Sequence, residues 1–399
     1  FPIWHQEIED ILVLKNNKGT EDNRVRRMDY SIQMSKLFYE RFINEEDITL
    51  FSPHAVPGLY EAFGTDKFDA LYKKYEKDKS IPKKTIAAQE LFADLLKERA
   101  ETGRIYIMNI DHSNSHSSFK DKVSMSNLCQ EITLPTTPIK GIDDPDGEIA
   151  LCILSAINVG AIGNLNELET LCDLSVRALD EIIELQDYPV KAAEVSTKSR
   201  RSLGIGYIGL AHYLAKNGVK YSDPKAWELV DRLSEAFQYY LLRASCDIAE
   251  EKGKCSAFDK TKYADGLLPI DHYKKEVDEI VVHKQRMAWE TLRKDILKYG
   301  LRHSTLSAQM PSESSSVVSN ETNGIEPPRA LLSIKKSKKG PLKQIVPGFP
   351  NLKNAYTLLW DMGSNEGYIK IVSVMQKYFD QAISGNWSYN PLQFENNEV

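Results

Sequence analysis

The sequence predicts an α/β fold built on parallel strands, and three observations lead there. DITLF (47–51), a helical pattern over 85–99 and RIYIMNI (104–110) follow one another in the strand, helix, strand order of a parallel sheet. GEIALCILSAINVGAIG (147–163) is a nearly continuous apolar run, the mark of a strand buried on both faces. With 42% hydrophobic and 27% charged residues, the 399-residue chain has core enough for one large domain or two smaller ones.

Taken in order, IEDILVL (8–14) is apolar at helical spacing, and MDYSIQMSKLFYERF (28–42) predicts an amphipathic helix. DITLF is a strand stopped by Ser52-Pro53, and the helix over 85–99 closes at Gly103 before RIYIMNI. Between Asp111 and Ser126 the chain turns polar and irregular. His112 and His116 stand four apart, a metal-ligand spacing on a helix, but the stretch predicts no helix and offers no carboxylate in register, so no metal site is expected. The apolar run places Cys152 on or beside a strand, and a helix covers 164–186. A Lys/Arg-rich link leads to LGIGYIGLAHYLA (203–215). Gly204, Gly206 and Gly209 almost form a dinucleotide fingerprint, but STKSRRS before them is no strand and no ribose-binding acid follows. They read as close-packing positions. Helices follow over 223–252 and 285–299, then strand-like STLSAQM (304–310), the serine-rich stretch 311–323, a strand at ALLSIK (330–335) and a final helix pair over 353–384. No internal repeat and no linker imposes a domain boundary.

A formal net charge of −6 argues against general nucleic-acid binding, and no apolar run approaches the roughly 18–20 residues of a membrane span. No signal-peptide pattern is seen at the start. The basic cluster Lys335-Lys336-Ser337-Lys338-Lys339 reads as a solvated turn. Five cysteines at wide spacing fit neither a disulfide framework nor a zinc site, and point to a reducing, cytoplasmic setting. Cys172 and Cys246 lie on helical apolar stripes and read as core, whereas Cys255 reads as an incidental loop thiol.

Two stretches carry chemistry. Asn127-Leu128-Cys129-Gln130-Glu131 puts an amide two residues before a thiol and a carboxylate two residues after it. In an extended chain all three project to one side. Met310-Pro311-Ser312-Glu313-Ser314-Ser315-Ser316 places a proline and serines where a helix is entered. Its backbone N–H groups, hydroxyls and helix dipole favour a phosphate, although serine-capped helices are common.

These strings, NLCQE around Cys129, ALCILSA around Cys152 and MPSESSSVVSNETNGIEPPR (310–329), occur in order with FPIWHQEIEDILVLKNNKG, RVRRMDY, DITLFSP, RIYIMNID and YEKD. Together they resemble the large catalytic subunit of class I ribonucleotide reductase over essentially the whole chain. The resemblance implies a ten-stranded α/β barrel of two five-stranded halves, incomplete in this chain. Residues 1–110 would end the first half, 111–145 form the central finger loop bearing Cys129, and 146–399 supply most of the second half. It implies radical reduction of ribonucleoside diphosphates, with Cys129 as the transient thiyl radical, Glu131 as base, Asn127 orienting the substrate and Cys152 as one half of a redox dithiol. Diphosphate binding falls to Pro311, Ser312, Glu313 (through its backbone N–H), Ser314 and Ser315.

The family's specificity loop, first redox cysteine, radical-path tyrosine pair and C-terminal cysteine tail find no match here. The expectation is therefore an interior piece that acts with complementary large-subunit fragments. The resemblance further implies a radical-generating small (beta) subunit that holds a di-iron or other dimetal cofactor, no cofactor bound by this chain, and thioredoxin or glutaredoxin as reductant. A non-catalytic binding or regulatory remnant is the alternative.

Overall fold

Short strands are interspersed among helices in a computed structural model of the chain, which describes residues 1–282, 284–337 and 340–388. His283, Lys338 and Lys339 of the basic cluster, and residues 389–399 of the span assigned to the second half-barrel lie outside the described residues. The chain divides into two units. One comprises Phe1–Ser117 with Lys122–Thr133, the other Ser118–Asp121 with Leu134 onward. The division falls inside the 111–145 span.

The first unit runs α1 (Ile8–Leu12), β1 (Ser31–Met34), α2 (Lys36–Ile43), β2 (Asp47–Phe51), α3 (Leu59–Ala62), α4 (Phe68–Lys77), β3 (Lys83–Ala87), α5 (Ala88–Thr102), β4 (Tyr106–Asn109) and α6 (Ile110–Ser115). β1 pairs in parallel with β4, setting Ser31 opposite Tyr106, and β2 pairs antiparallel with β3. Trp4, Phe38, Phe51, Leu91 and Leu95 fill the core between them. Three expectations are corrected here. The single helix over 28–42 is a strand followed by a helix, because the Ser35 hydroxyl accepts from Phe38 N at 3.3 Å and caps α2 at that point. The helix over 85–99 begins at Ala88, since Lys83–Ala87 is the strand β3, paired antiparallel with β2; its end at Gly103 stands, with φ of +63°. The irregular stretch after Asp111 opens as α6, held by Ser113 Oγ and Asn114 Nδ2 bonds to Asn109 and Ile110 carbonyls.

The second unit runs β5 (Ile153–Asn158), α7 (Glu167–Leu185), α8 (Lys191–Arg200), β6 (Leu203–Ile208), α9 (Leu210–Lys216), α10 (Pro224–Lys252), α11 (Pro269–His272), α12 (Trp289–Tyr299), α13 (Glu313–Val318), the antiparallel pair β7 (Leu332–Ser337) and β8 (Gly340–Ile345), and α14 (Glu366–Gln376). The Lys/Arg-rich link is thus mostly helix, and its last turn ends at Arg201 with φ of +47°. β5 and β6 are parallel and in register from Ile153–Leu203 to Asn158–Ile208. The array continues on the far side of β6. Leu203 N and Ile205 N donate to Thr305 O and Leu306 O, and Gln309 N donates to Ala382 O at 3.2 Å. STLSAQM is therefore strand-like, as expected, and 381–384 lies extended beside it.

That last segment overturns the helix pair over 353–384, of which only α14 is a full helix. Backbone pairing is the physical reason, since Gln381 N donates to Ser307 O at 3.1 Å and Ser384 N donates to Gln309 O at 3.0 Å. The buried Asp380 carboxyl before it accepts from Ser307 N at 2.8 Å, Leu306 N at 3.0 Å and Tyr263 OH at 2.7 Å. β6 is buried along its whole length, and its glycines are close-packing positions as expected. A Cβ on Gly206 would come within 2.7 Å of Ala308 O and 3.0 Å of Met310 Sδ. Cys172 and Cys246 are core residues, but Cys255 is too. It is 2% exposed, and burial pushes its thiol up to about 12.

Candidate active site

The Cys129 stretch is a tight turn, which corrects the extended geometry expected of it. Gln130 N donates to Asn127 O at 3.2 Å, and Gln130 Nε2 donates to the same oxygen at 2.6 Å. Gln130 takes φ of +69°, a left-handed conformation unusual outside glycine. Ser126 Oγ donates to Ile132 O at 2.7 Å and closes the turn at its base. The turn still gathers amide, thiol and carboxylate. Asn127 Oδ1 accepts from Ile132 N at 3.1 Å, and the Asn127 side chain hydrogen-bonds Glu131. Glu131 is 3% exposed, and its Oε2 is buried with no hydrogen-bond partner.

The electrostatics follow from this burial. Loss of solvent raises the Glu131 carboxyl above its ordinary value, against the lowering effect of Asn127. Burial also raises the half-buried Cys129 thiol, and the nearby Glu131 charge raises it further. Both shifts favour the protonated forms, the thiol of Cys129 and the carboxyl of Glu131. Tyr106, at the start of β4, hydrogen-bonds Cys129. No local pattern in the sequence announces Tyr106.

In the second unit, Cys152 immediately precedes β5 and is half-buried. Gln381 Nε2 lies 3.9 Å from its sulfur, a contact 229 residues apart in sequence that no local signal could reveal.

The serine-rich stretch forms the six-residue helix α13, with Pro311 before it and Ser312 at its N-cap. Ser312 N donates to Asn323 Oδ1 at 3.0 Å, so that N–H is already engaged, and Ser315 Oγ turns back to Ser312 O at 3.4 Å. Glu313, Ser314 and Ser315 form the first turn of α13. A cavity of about 390 Å³ borders Glu313 and Ser316 and is also lined by Glu326, Arg329 and Lys336. Among the described residues, no group of three or more His, Cys, Asp or Glu side chains is disposed to hold a metal ion, and no helix is long and apolar enough to cross a membrane.

Residues 1–396 match the family model for the ribonucleotide reductase barrel domain. The chain is 58% identical over its whole length to a ribonucleoside-diphosphate reductase subunit alpha of Haemophilus influenzae, covering 53% of that protein. It is 55% identical to the ribonucleoside-diphosphate reductase 1 subunit alpha of Escherichia coli and 43% identical to the ribonucleoside-diphosphate reductase subunit alpha of Enterobacteria phage T4, again over the whole chain and 53% of each relative. The chain therefore spans about half the length of the curated relatives it matches. It belongs to the ribonucleotide reductase barrel-domain family.

Proposed function

We propose that this chain supplies the catalytic core of a ribonucleoside-diphosphate reductase, replacing the ribose 2′-hydroxyl with hydrogen. The observation that carries the reading is the pairing of a raised Cys129 thiol with a raised Glu131 carboxyl in one turn. A nucleophilic cysteine needs the opposite surroundings, electropositive and thiolate-stabilising. An S–H kept protonated is suited to giving and taking a hydrogen atom, and a carboxylate moved toward neutrality is suited to proton exchange.

In this scheme Cys129, as a thiyl radical, takes the 3′-hydrogen and becomes a thiol. Glu131 accepts the 3′-hydroxyl proton, which helps the protonated 2′-hydroxyl depart as water. Cys152 and a second cysteine supply two electrons and two protons and end as a disulfide. Cys129 then returns the hydrogen to C3′, and the radical is regenerated on sulfur. Asn127 holds Glu131 in place within the turn and orients the substrate hydroxyls. Pro311, Ser312, Glu313, Ser314 and Ser315 bind the diphosphate, with the α13 first turn as the donor set.

The relatives' printed names, subunit alpha of a reductase, support a radical-generating small subunit as partner. The di-iron or other dimetal centre is assigned to that subunit, and thioredoxin or glutaredoxin to re-reduction of the dithiol. Coverage of 53% of each relative supports a need for polypeptide corresponding to the rest, and the chain's strands are proposed to close with it into the ten-stranded barrel, with 111–145 as its finger loop. The test is deoxynucleotide formation from a nucleoside diphosphate by the chain assembled with that polypeptide, a small subunit and a dithiol reductant. Glu131→Gln should lower turnover by about 100- to 10,000-fold. Turnover unchanged in Glu131→Gln would remove the assigned base.

A further inference from the structure

The surroundings of Cys152 contain two features that the catalytic scheme does not use. The first is Gly204, paired with Leu154 across the β5–β6 register. A Cβ built on Gly204 would come 2.6 Å from Cys152 Sγ and 2.7 Å from Leu154 Cδ2, well inside van der Waals contact. Glycine here leaves the hollow that the sulfur occupies.

The second is the Gln381 side-chain amide. Its Nε2 donates to Leu203 O at 2.8 Å and lies 3.9 Å from Cys152 Sγ. An amide nitrogen carries two hydrogens, so one can hold the β6 carbonyl while the other faces the sulfur. Gln381 is itself fixed. It is 3% exposed, its N–H donates to Ser307 O at 3.1 Å, and its carbonyl accepts from Gln376 Nε2 at 2.8 Å.

We propose that Gln381 is a positioning residue for Cys152, whose sulfur it holds over Gly204 by an N–H···S hydrogen bond that strengthens when the sulfur is a thiolate. The proposal rests on the reading of Cys152 as a redox thiol. When a dithiol reductant attacks the disulfide at the partner cysteine's sulfur, a new S–S bond forms and the old one breaks, and Cys152 departs with the electron pair as a thiolate. A donor aimed at that sulfur stabilises the departing charge and keeps it in place.

The test is peptide-resolved mass spectrometry of iodoacetamide labelling in the purified chain, with the rate at Cys152 followed against pH and Cys129 as internal reference. Gln381→Leu is expected to slow Cys152 labelling at pH 7 by about tenfold, the effect of losing one charge-assisted hydrogen bond. The rate on the alkaline plateau, where the thiolate is fully formed, should not change. Gln381→Glu keeps the size of the side chain but turns a carboxylate toward the sulfur, and should slow labelling at pH 7 at least as much. It decides the matter if the leucine variant fails to fold. A pH profile of Cys152 unchanged in Gln381→Glu, or one that shifts equally for Cys129, would overturn the proposal. Turnover of Cys152→Ser in the assembled reductase separately decides whether Cys152 is a redox thiol. Loss of turnover there, with unchanged labelling in the Gln381 variants, would keep the redox role and remove Gln381 from it.

Discussion

At Cys129 and Glu131 the pH dependence of the reaction follows from the direction of two shifts. Burial raises Glu131, so the carboxylate that the proposed base role requires forms at a higher pH than for an ordinary glutamate. The acid limb of kcat/KM in the assembled reductase should therefore have its midpoint above the ordinary glutamate value of 4.5, and Glu131→Gln should abolish that limb. Burial and the Glu131 charge raise Cys129 above the ordinary thiol value of 9.0, so no alkaline loss assignable to Cys129 should appear below that pH. The two cysteines should separate by phenotype. Cys129→Ser should stop the reaction before any substrate bond breaks, whereas Cys152→Ser should allow the first hydrogen abstraction and then substrate breakdown. Quantifying released base beside deoxynucleotide checks this, and silence from both variants alike would argue against the division of labour.

Among the elements, β6 and the segments beside it set the position of Cys152. Gly206→Ala would force a Cβ against the Ala308 carbonyl and should destabilise the second unit by about 1–3 kcal/mol, measured by denaturant unfolding. A stability equal to wild type would mean that the 305–309 segment can move aside. The close-packed role of these glycines was legible in the sequence, because the residues before them could not form the strand that a dinucleotide site requires. The strands at 47–51 and near 106, the long α7 and α10 helices and the strand beside Cys152 were legible for the same reason, since periodicity and flanking breakers report local structure. The misses were non-local. β1 exists because Tyr106–Asn109 lies beside it, although Ser35 offered a capping signal that would have split the helix. Extended 381–384 exists because its backbone pairs with Ser307 and Gln309. At the site, all three residues of the Cys129 turn were named correctly as neighbours but with the wrong backbone, because the turn depends on Gln130 adopting a positive φ.

Across the molecule, the second unit should be acid-sensitive through one buried network. His303 is fully buried, and loss of solvent pushes it down to about 4 against the raising effect of Asp180, 3.1 Å away. Burial alone would raise Asp180, but hydrogen bonds and charge from His303 and Arg201 hold it well below the usual carboxylate range. The unfolded chain binds the His303 proton from about pH 6.5 downward, while the folded chain resists until about pH 4. Stability should therefore fall as pH drops through that window, and fall further where Asp180 protonates. His303→Asn should be less stable at pH 7.5 but show a flatter decline between pH 6.5 and 4 in thermal unfolding; an equal slope would place the acid sensitivity elsewhere. The central claim, that Cys129 carries hydrogen-atom chemistry for ribonucleotide reduction, is tested most directly by deoxynucleotide yield from the chain assembled with the remaining half of a relative's large subunit and a radical-generating small subunit. The account predicts turnover with Cys129 present and none above background in Cys129→Ser; sustained deoxynucleotide formation by Cys129→Ser would contradict it.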